Sequence, residues 1–235
     1  MDSPSFDAPP ASQGVLSQEP PSSLPRGPHG LPRDVVVKSQ RTRLLRALIE
    51  VVAEKGYPAT TVADVISRAG VSRTTFYQQF KDKEDCFLVA YRKGGDAQYR
   101  KVCEAVRSAS DPLEQLRRNV RAYLAELMAF PSSARAFLLE VPAAGPRALA
   151  IKDMLVLGYV ELLAYLYSRF REHREDLPEL PAEVFRAAVA AVDDLVLRWI
   201  RDGRLSELGK LEPIAVYLEL AMFGLPDAAG PLAPV

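Results

Sequence analysis

The segment SRTTFYQQFK combines polar side chains with aromatic anchors at the spacing of a two-turn helix. Its phenylalanines, Phe76 and Phe80, would fix one face of that helix in a core. The opposite face would carry guanidinium, hydroxyl and amide groups, which match the edges of DNA bases in the major groove. A helix so short and so polar is a poor core element, so we expect this face to bind a partner outside the fold. The base-reading candidates are Arg73, Thr74 and Gln78.

Side chains around this helix are suited to the phosphate backbone of the same duplex. Tyr77, Thr61 and Thr75 offer hydroxyl groups, and Lys81 and Lys83 offer ammonium groups. The start of the next helix, near Lys83, adds backbone N–H groups that favour an anion. Phosphate contacts position a protein on DNA, whereas base contacts select the sequence. The full set predicted at the DNA is Thr60, Thr61, Ser72, Arg73, Thr74, Thr75, Tyr77, Gln78, Gln79, Lys81 and Lys83.

Helix-capping signals define this segment as the second half of a helix-turn-helix. Thr61 and Asp64 form a capping box, in which each side chain satisfies the backbone N–H of the other residue. The helix opened there stops at Gly70, and Ser72 caps the helix that follows. Two short helices joined by a glycine-containing turn are typical of DNA-binding proteins, although the same geometry also occurs in proteins that bind no DNA.

Charge is distributed unevenly along a chain whose net charge is zero. The 235 residues include 30 basic and 30 acidic side chains. Between Val36 and Lys93, eleven basic residues face six acidic ones, so this block carries +5 and the remainder −5. Local positive charge around the candidate helix favours contact with a polyanion.

Apolar residues recur at helical spacing from Ser39 onward, and no alternating strand pattern is present, so we predict an all-α protein. The first helix should end at Gly56. Residues 1–35 are rich in Pro, Ser and Gly and are predicted to form a disordered tail. Six further helices are expected after the helix-turn-helix, at about 83–107, 112–130, 132–139, 146–175, 181–202 and 212–223.

The stretch ATTVADVISRAGVSRTTFYQQFKDKEDCF, residues 59–87, resembles the DNA-binding signature of the tetracycline-repressor (TetR) family of bacterial transcriptional regulators. Gln79 stands where His or Tyr is frequent in the family, and Thr74 stands where Gly or Ala is frequent. The bound operator sequence therefore does not follow from the resemblance. The matching features are Thr60-Thr61, Ile66, Ala69-Gly70-Val71-Ser72, Thr75-Phe76-Tyr77, Phe80 and Lys83-Glu84.

The resemblance implies a three-helix DNA-binding head and a larger helical domain that dimerises and often holds a small-molecule effector. It predicts a sequence-specific transcriptional regulator in the cytoplasm, a homodimeric repressor that the effector releases from a near-palindromic operator. The implied domains are the helix-turn-helix domain at 36–82, an effector-binding and dimerisation domain at 83–225, and a flexible tail at 226–235.

Aromatic and apolar side chains on the middle helices mark a candidate cavity for a small apolar or aromatic effector, although such residues are also ordinary core. Asp193 interrupts an apolar run and has no basic partner four residues on, where Leu197 stands. It would meet an arginine of another helix or line a polar spot. Asp194 can instead pair with Arg198. The candidate lining is Tyr91, Tyr123, Leu127, Phe137, Leu155, Tyr159, Val192 and Asp193.

The last two helices carry apolar side chains that would form a two-fold four-helix interface or pack in the core of one subunit. Such a dimer would hold its reading helices roughly 34–36 Å apart, one turn of DNA. The interface candidates are Phe185, Val189, Val192, Val196, Trp199, Ile200, Ile214, Tyr217, Leu218 and Ala221.

Enzyme motifs are missing from the sequence, which has no phosphate-binding glycine loop, nucleophile elbow or His/Cys metal spacing. We therefore expect no catalysis, no cofactor and no metal. Cys86 and Cys103 are seventeen residues apart on one predicted helix and could not form a disulfide, so we expect packed thiols. No apolar run is long enough for a membrane span. The alternative to DNA binding is a helical scaffold that binds only protein.

Overall fold

The computed structural model describes residues 32–230, with Arg33 described by its backbone alone. All regular structure in this range is helical, as predicted, and comprises nine α-helices and three 3-10 segments. The first 31 residues of the tail predicted at 1–35, and the last five residues of the chain, lie outside the described residues. The head helices are α1 (Arg33–Lys55), α2 (Val62–Ala69) and α3 (Arg73–Gln79). The body helices are α4 (Lys83–Arg107), α5 (Pro112–Ala129), α6 (Pro131–Leu139), α7 (Pro146–Arg171), α8 (Ala182–Arg201) and α9 (Glu212–Met222).

The α-helix boundaries lie within one or two residues of the predicted ones except at the start of α1 and the end of α7, and a third difference concerns the C-terminal tail. Helix α1 begins at Arg33, not Ser39, and so takes in the last residues assigned to the tail. No side chain caps this start, which is why the sequence does not signal it. Helix α7 ends at Arg171 and is followed by turns rather than by one more helical turn. Residues 226–229, placed in the flexible tail, form a 3-10 segment.

The capping interactions predicted in the head are present. The Thr61 hydroxyl accepts from the backbone N–H of Asp64 at 3.2 Å, and the Asp64 carboxylate accepts from the backbone N–H of Thr61 at 2.8 Å. Gly70 ends α2 in the left-handed conformation at φ 61°, which glycine adopts without strain. The Ser72 hydroxyl then accepts from the backbone N–H of Thr75 at 3.0 Å. These caps fix the angle at which α3 leaves the turn.

The core of the head continues into the body. Phe76 of α3 and Phe80, which directly follows α3, are buried with Leu44 and Leu48 of α1 and with Phe87 of α4. Residues of α6 and the start of α7 belong to the same core. A boundary at residue 82 therefore cuts through a continuous hydrophobic cluster. A movement of α6 or of the first half of α4 would therefore directly change the packing of the head.

The second core fills the body, and it corrects part of the predicted dimer interface. Phe185, Val192, Val196, Trp199 and Ile200 of α8 are buried within the chain itself. These five residues are core because the apolar face of α8 turns toward α7 and α9. The interface candidates that remain partly or fully accessible are Val189, Ile214, Tyr217, Leu218 and Ala221.

Helices α4 and α7 approach closely at a glycine. A Cβ atom added at Gly95 would clash with the side chain of Leu155. The close approach places α4 and α7 side by side along one wall of the body. Cys86 and Cys103 of α4 are buried and unpaired, and burial raises the pKa of both thiols, as expected of packed cysteines. None of the helices in the described range has both the length and the apolar composition of a membrane span.

Candidate functional site

Helix α3 is anchored on one side and accessible on the other. Phe76 is fully buried, and its ring lies 5.8 Å from the ring of Phe80. The Arg41 guanidinium of α1 stacks 4.4 Å from the centre of the Phe80 ring. The same guanidinium donates to the backbone carbonyl of Gln79 at 2.9 Å. The middle and the C-terminal end of this short helix are therefore held by the rest of the head.

The accessible face of α3 presents the predicted base-reading side chains together. Arg73, Thr74 and Gln78 are exposed, as are Tyr77 and Lys81 beside them. Tyr77 keeps 49% of its surface exposed, although its ring packs edge-on against Phe76. A large aromatic residue with a hydroxyl tip at this position is available to a ligand rather than used by the core. We call these five exposed residues the reading face.

Positive charge is free at the reading face and neutralised behind it. Arg68 of α2 is paired with Glu54 at 2.6 Å and with Glu50 at 3.3 Å. In contrast, the side chains of Arg73 and Lys81 form no ion pair with any residue of the described range. Arg73 and Lys81 therefore leave positive charge unneutralised at this face, where a polyanion could approach.

Thr60 and Lys83 occupy positions that differ from the prediction. Thr60 is only 2% exposed, and its hydroxyl donates to the carbonyl of Gly56 at 2.7 Å. The Lys83 ammonium donates to the carbonyls of Tyr57 at 2.7 Å and of Thr60 at 2.9 Å, and it lies 4.1 Å from the Tyr57 ring centre. Both side chains therefore brace the loop between α1 and α2. Neither is presented to an external phosphate.

The remaining phosphate candidates are accessible but already serve as caps. The Thr61 hydroxyl bonds to Asp64 at 2.6 Å, and the hydroxyls of Ser72 and Thr75 lie 2.9 Å apart. A hydroxyl has one donor and two acceptor sites, so one contact does not exclude another. Gln79 is half-buried, with its amide oxygen 3.3 Å from Arg41.

The N-terminus of α4 is less suited to an anion than we expected. The Asp82 carboxylate accepts from the backbone N–H of Asp85 at 2.8 Å. The Asp85 carboxylate in turn accepts from the backbone N–H of Lys81 at 3.0 Å. Together with Glu84 in the first turn, these groups already supply the negative charge that a helix N-terminus favours.

A cavity of about 350 Å³ lies in the body, between α4, α5, α6, α7, α8 and α9. This volume falls within the range of pockets that bind small molecules. All eight residues predicted from the sequence line this one cavity, although they come from five different helices. They are Tyr91, Tyr123, Leu127, Phe137, Leu155, Tyr159, Val192 and Asp193.

Asp193 lines the cavity as a polar spot and is bonded to a tyrosine, not to an arginine. Its carboxylate accepts from the Tyr123 hydroxyl at 2.8 Å. Burial raises the pKa of Asp193, and the Tyr123 hydrogen bond opposes that shift. The Tyr159 ring packs edge-on against Tyr123, 5.7 Å between centres. Asp194 points outward and pairs with Arg198 at 3.2 Å, as predicted.

Sequence reasoning missed most of the polar residues of the cavity wall, including Asn119, Glu219 and Lys152. Asn119 lies one turn before Tyr123 on α5, so the helical period that selected Tyr123 could also have selected Asn119. Glu219 interrupts an apolar run in α9 just as Asp193 does in α8, and that signal was available. Lys152 has no comparable signal, because it follows an ordinary alternation of polar and apolar residues.

Helix α6 connects the cavity with the head. Phe137 lines the cavity, and its ring lies 5.2 Å from that of Tyr91 and 6.0 Å from that of Phe87. The Phe87 ring lies 5.0 Å from that of Tyr57, the residue whose carbonyl binds Lys83. An unbroken series of ring contacts therefore joins the cavity wall to the loop that precedes the helix-turn-helix.

Comparison with known proteins gives one family for the head. Residues 44–90 match the family model described as bacterial regulatory proteins, tetR family. The HTH-type transcriptional activator FasR of Mycolicibacterium smegmatis is 34% identical over 93 residues, or 40% of this chain. The match covers 41% of FasR, so the chain spans less than half the length of this curated relative. Relatives of this kind are helix-turn-helix transcription regulators and not enzymes.

Two solved structures share the fold of head and body together. The fatty acid degradation regulator FadR from Bacillus halodurans has a TM-score of 0.69 and 25% identity, and the match covers 77% of this chain and 94% of that chain. FadR from Bacillus subtilis, in complex with stearoyl-CoA, also has a TM-score of 0.69, with 20% identity and coverage of 77% and 97%. The fold of most of this chain is therefore shared with these two proteins.

Proposed function

We propose that the chain, whose residues 44–90 match the model of the tetR family of bacterial regulatory proteins, is a DNA-binding transcriptional regulator of this family controlled by an effector. In this proposal it acts in the cytoplasm as a homodimeric repressor on a near-palindromic operator. The single observation that carries the proposal is the reading face. It is exposed and positively charged, while its helix is anchored by buried phenylalanines.

The reading face would divide its work between bases and phosphates. Arg73, Thr74 and Gln78 carry the donors and acceptors that pair with base edges in the major groove. Lys81 and the Tyr77 hydroxyl flank them and suit phosphate oxygens. The accessible hydroxyls of Thr61, Ser72 and Thr75 and the amide of Gln79 would add polar contacts at the edge. Thr60 and Lys83 would act indirectly, by bracing the loop on which α2 rests.

The cavity is the proposed effector site. Its wall is mainly apolar and aromatic, so the effector would be an apolar or aromatic molecule. The structural neighbour from Bacillus subtilis binds stearoyl-CoA, which supports a molecule with a long apolar part. Lys101 and Lys152 also line the cavity and could receive an anionic end of such a molecule.

Effector binding would reach the DNA through α6. A ligand that displaces Phe137 shifts α6. Helix α6 reaches Tyr57 of the head in two ways, through the Phe87 ring of α4 and through the Glu140 carboxylate. Rigid elements and packed rings transmit such shifts because closely packed cores do not deform continuously. Release of DNA would follow from a changed orientation of α3 relative to the body.

A homodimer would use the accessible stripe of α9. Tyr217, Leu218 and Ala221 recur at helical spacing and remain accessible, and Ile214 beside them is only partly covered by the body core. Two copies of such a stripe pair readily about a two-fold axis, since each surface is its own complement. The dimer would then present two reading faces to successive major grooves.

The test is selection of bound duplexes from a random pool by the full chain. We expect enrichment of an inverted repeat whose half-sites lie about one helical turn apart. If no duplex is enriched even at low salt, the DNA-binding proposal fails and a helical scaffold that binds only protein becomes the better account. Enrichment of a single half-site would instead remove the homodimer.

A further inference from the structure

Three polar side chains at the cavity have buried atoms without a hydrogen-bond partner in the described range. They are the Asn119 amide oxygen, one Glu219 carboxyl oxygen and the Tyr159 hydroxyl. Asn119 is 6% exposed and Glu219 is 3% exposed. Buried polar atoms in native structures nearly always have a protein or water partner, so three unpaired ones in residues that line one cavity mark a place where a bound molecule can supply the missing hydrogen bonds. We call Asn119, Tyr159 and Glu219 the polar set.

The polar set lies on helices of the body and away from the head. Asn119 belongs to α5, Tyr159 to α7 and Glu219 to α9, and α9 packs directly against α5. Tyr91, Phe137 and the neighbouring Leu155 instead pack with the core of the head. The cavity therefore has an apolar part beside the head and polar atoms in its wall within the body.

The chemistry of the polar set favours a neutral partner. Burial raises the pKa of Glu219 to about 8, so at neutral pH its carboxyl is mostly protonated and donates as well as accepts. The Asn119 oxygen can only accept, and the Tyr159 hydroxyl can do both. A hydroxyl group satisfies this combination, since it donates to Asn119 and accepts from Glu219 or Tyr159.

We propose that the effector is an apolar molecule carrying a hydroxyl group that hydrogen-bonds with the polar set. This proposal rests on the proposed role of the cavity as the effector site. A plain hydrocarbon end would cover the same wall but leave its polar atoms unpaired and out of reach of water. The polar set thus determines which apolar molecules the cavity accepts, whereas the aromatic wall determines their size and shape.

Matched ligand pairs test the proposal by calorimetry on the full chain. The pairs are 12-hydroxydodecanoic acid with dodecanoic acid, and 4-butylphenol with butylbenzene. We expect the hydroxylated member of at least one pair to bind about ten-fold tighter or more, since a buried polar group left unpaired is costly. Equal affinities within both pairs, or no binding of either hydroxylated probe, would overturn the proposal.

Two variants connect the preference with the polar set. Asn119→Leu should reduce the preference for the hydroxylated probe several-fold and leave Tm unchanged or higher, because it removes an unpaired polar group. Glu219→Gln keeps a donor and an acceptor and should retain the preference. A large fall in Tm with an unchanged preference in Asn119→Leu would instead assign Asn119 a structural role.

The same samples separate this proposal from the proposed function. If the unliganded chain binds its selected duplex and both members of a pair weaken that binding equally, the effector site stands and the hydroxyl preference is overturned. If the hydroxylated probes bind with the predicted preference but the duplex affinity does not change, the hydroxyl proposal stands and the regulatory role of the cavity fails.

Discussion

The Glu140 carboxylate at the end of α6 accepts a hydrogen bond from the backbone N–H of Tyr57 at 2.8 Å. The two residues are 83 positions apart, so this bond joins the body to the loop between α1 and α2. A Cβ atom at the neighbouring Gly56 would lie 3.3 Å from the same carboxylate oxygen, and Gly56 has φ 82°. The glycine therefore suits both the left-handed backbone and the close approach of Glu140.

Glu140→Ala should weaken the link between effector and DNA. Loss of the carboxylate leaves the Tyr57 N–H without its partner, which costs about 1–3 kcal/mol of unfolding free energy. We expect a lower Tm and a smaller effector-induced change in duplex affinity, measured by anisotropy with and without effector. Arg147→Ala is the matched control, because Arg147 pairs with Glu84 at 3.5 Å across an exposed surface. Exposed ion pairs contribute little to stability. If Arg147→Ala reduced the effector-induced change in duplex affinity as much as Glu140→Ala does, the proposed role of Glu140 would be contradicted.

Gln78→Ala should relax sequence preference at one position of each half-site. A good contact to a base edge contributes about 1–3 kcal/mol of discrimination. We expect Gln78→Ala to lower the affinity for the selected duplex and to leave the affinity for a duplex altered at the contacted base pair unchanged. Competition binding with single-base variants of the selected site measures this. An equal loss on every duplex would show that Gln78 does not read bases.

Lys81 and Lys83 should respond differently to the same truncation, although they are two positions apart. Lys81→Ala removes one phosphate contact from each reading face, so in the proposed dimer it should reduce the magnitude of the slope of log affinity against log salt by about two, or about one per contact. Lys83→Ala removes a brace of the Tyr57–Thr60 loop and should lower Tm and weaken all duplexes with little change of slope. Binding titrations at four salt concentrations separate the two cases. A reduced slope in Lys83→Ala would restore the phosphate role that its sequence position suggested.

Glu219 should make the protein less stable as pH rises. Its folded pKa of about 8 lies above the ordinary value of 4.5, so the folded state binds more protons than the unfolded state between these values. Below about pH 4.5 the carboxyl is protonated in both states and does not reduce stability. As pH rises from about 4.5 to about 8, the unfolded state ionises more readily than the folded state, and the free energy of unfolding falls. Glu219→Gln should remove this loss, which amounts to a few kcal/mol, or about 1.4 kcal/mol per pKa unit. Denaturant unfolding of both proteins at several pH values measures it, and parallel profiles would contradict the prediction.

The sequence predicted most of the fold because its signals are local. The Thr61 capping box, the Gly70 turn and the Ser72 cap each involve residues within four positions. The lining of the cavity was also predictable, since helical spacing put Tyr123 and Tyr159 on inward faces. The role of Lys83 was not, because its partners are carbonyls 23 and 26 residues away.

Long-range relationships also explain the other differences. The burial of Trp199 and Val196 depends on which side of α8 faces α7, and the apolar pattern alone leaves that side open. The bond from Tyr123 to Asp193 joins residues 70 apart on different helices. Glu219 was detectable as an acidic residue within an apolar run, but only the packing of α9 against α5 shows that it lies at the cavity.

The most direct measurement of the central claim is the affinity of the full chain for its selected duplex as a function of salt. Each neutralised phosphate contributes about −0.9 to the slope of log affinity against log salt, so a dimer that places two reading faces on DNA should give a slope of roughly −4 or steeper. Arg73→Ala should lose affinity for the selected duplex more than for an unrelated one. A slope near zero, or binding that does not distinguish the two duplexes, would contradict the account.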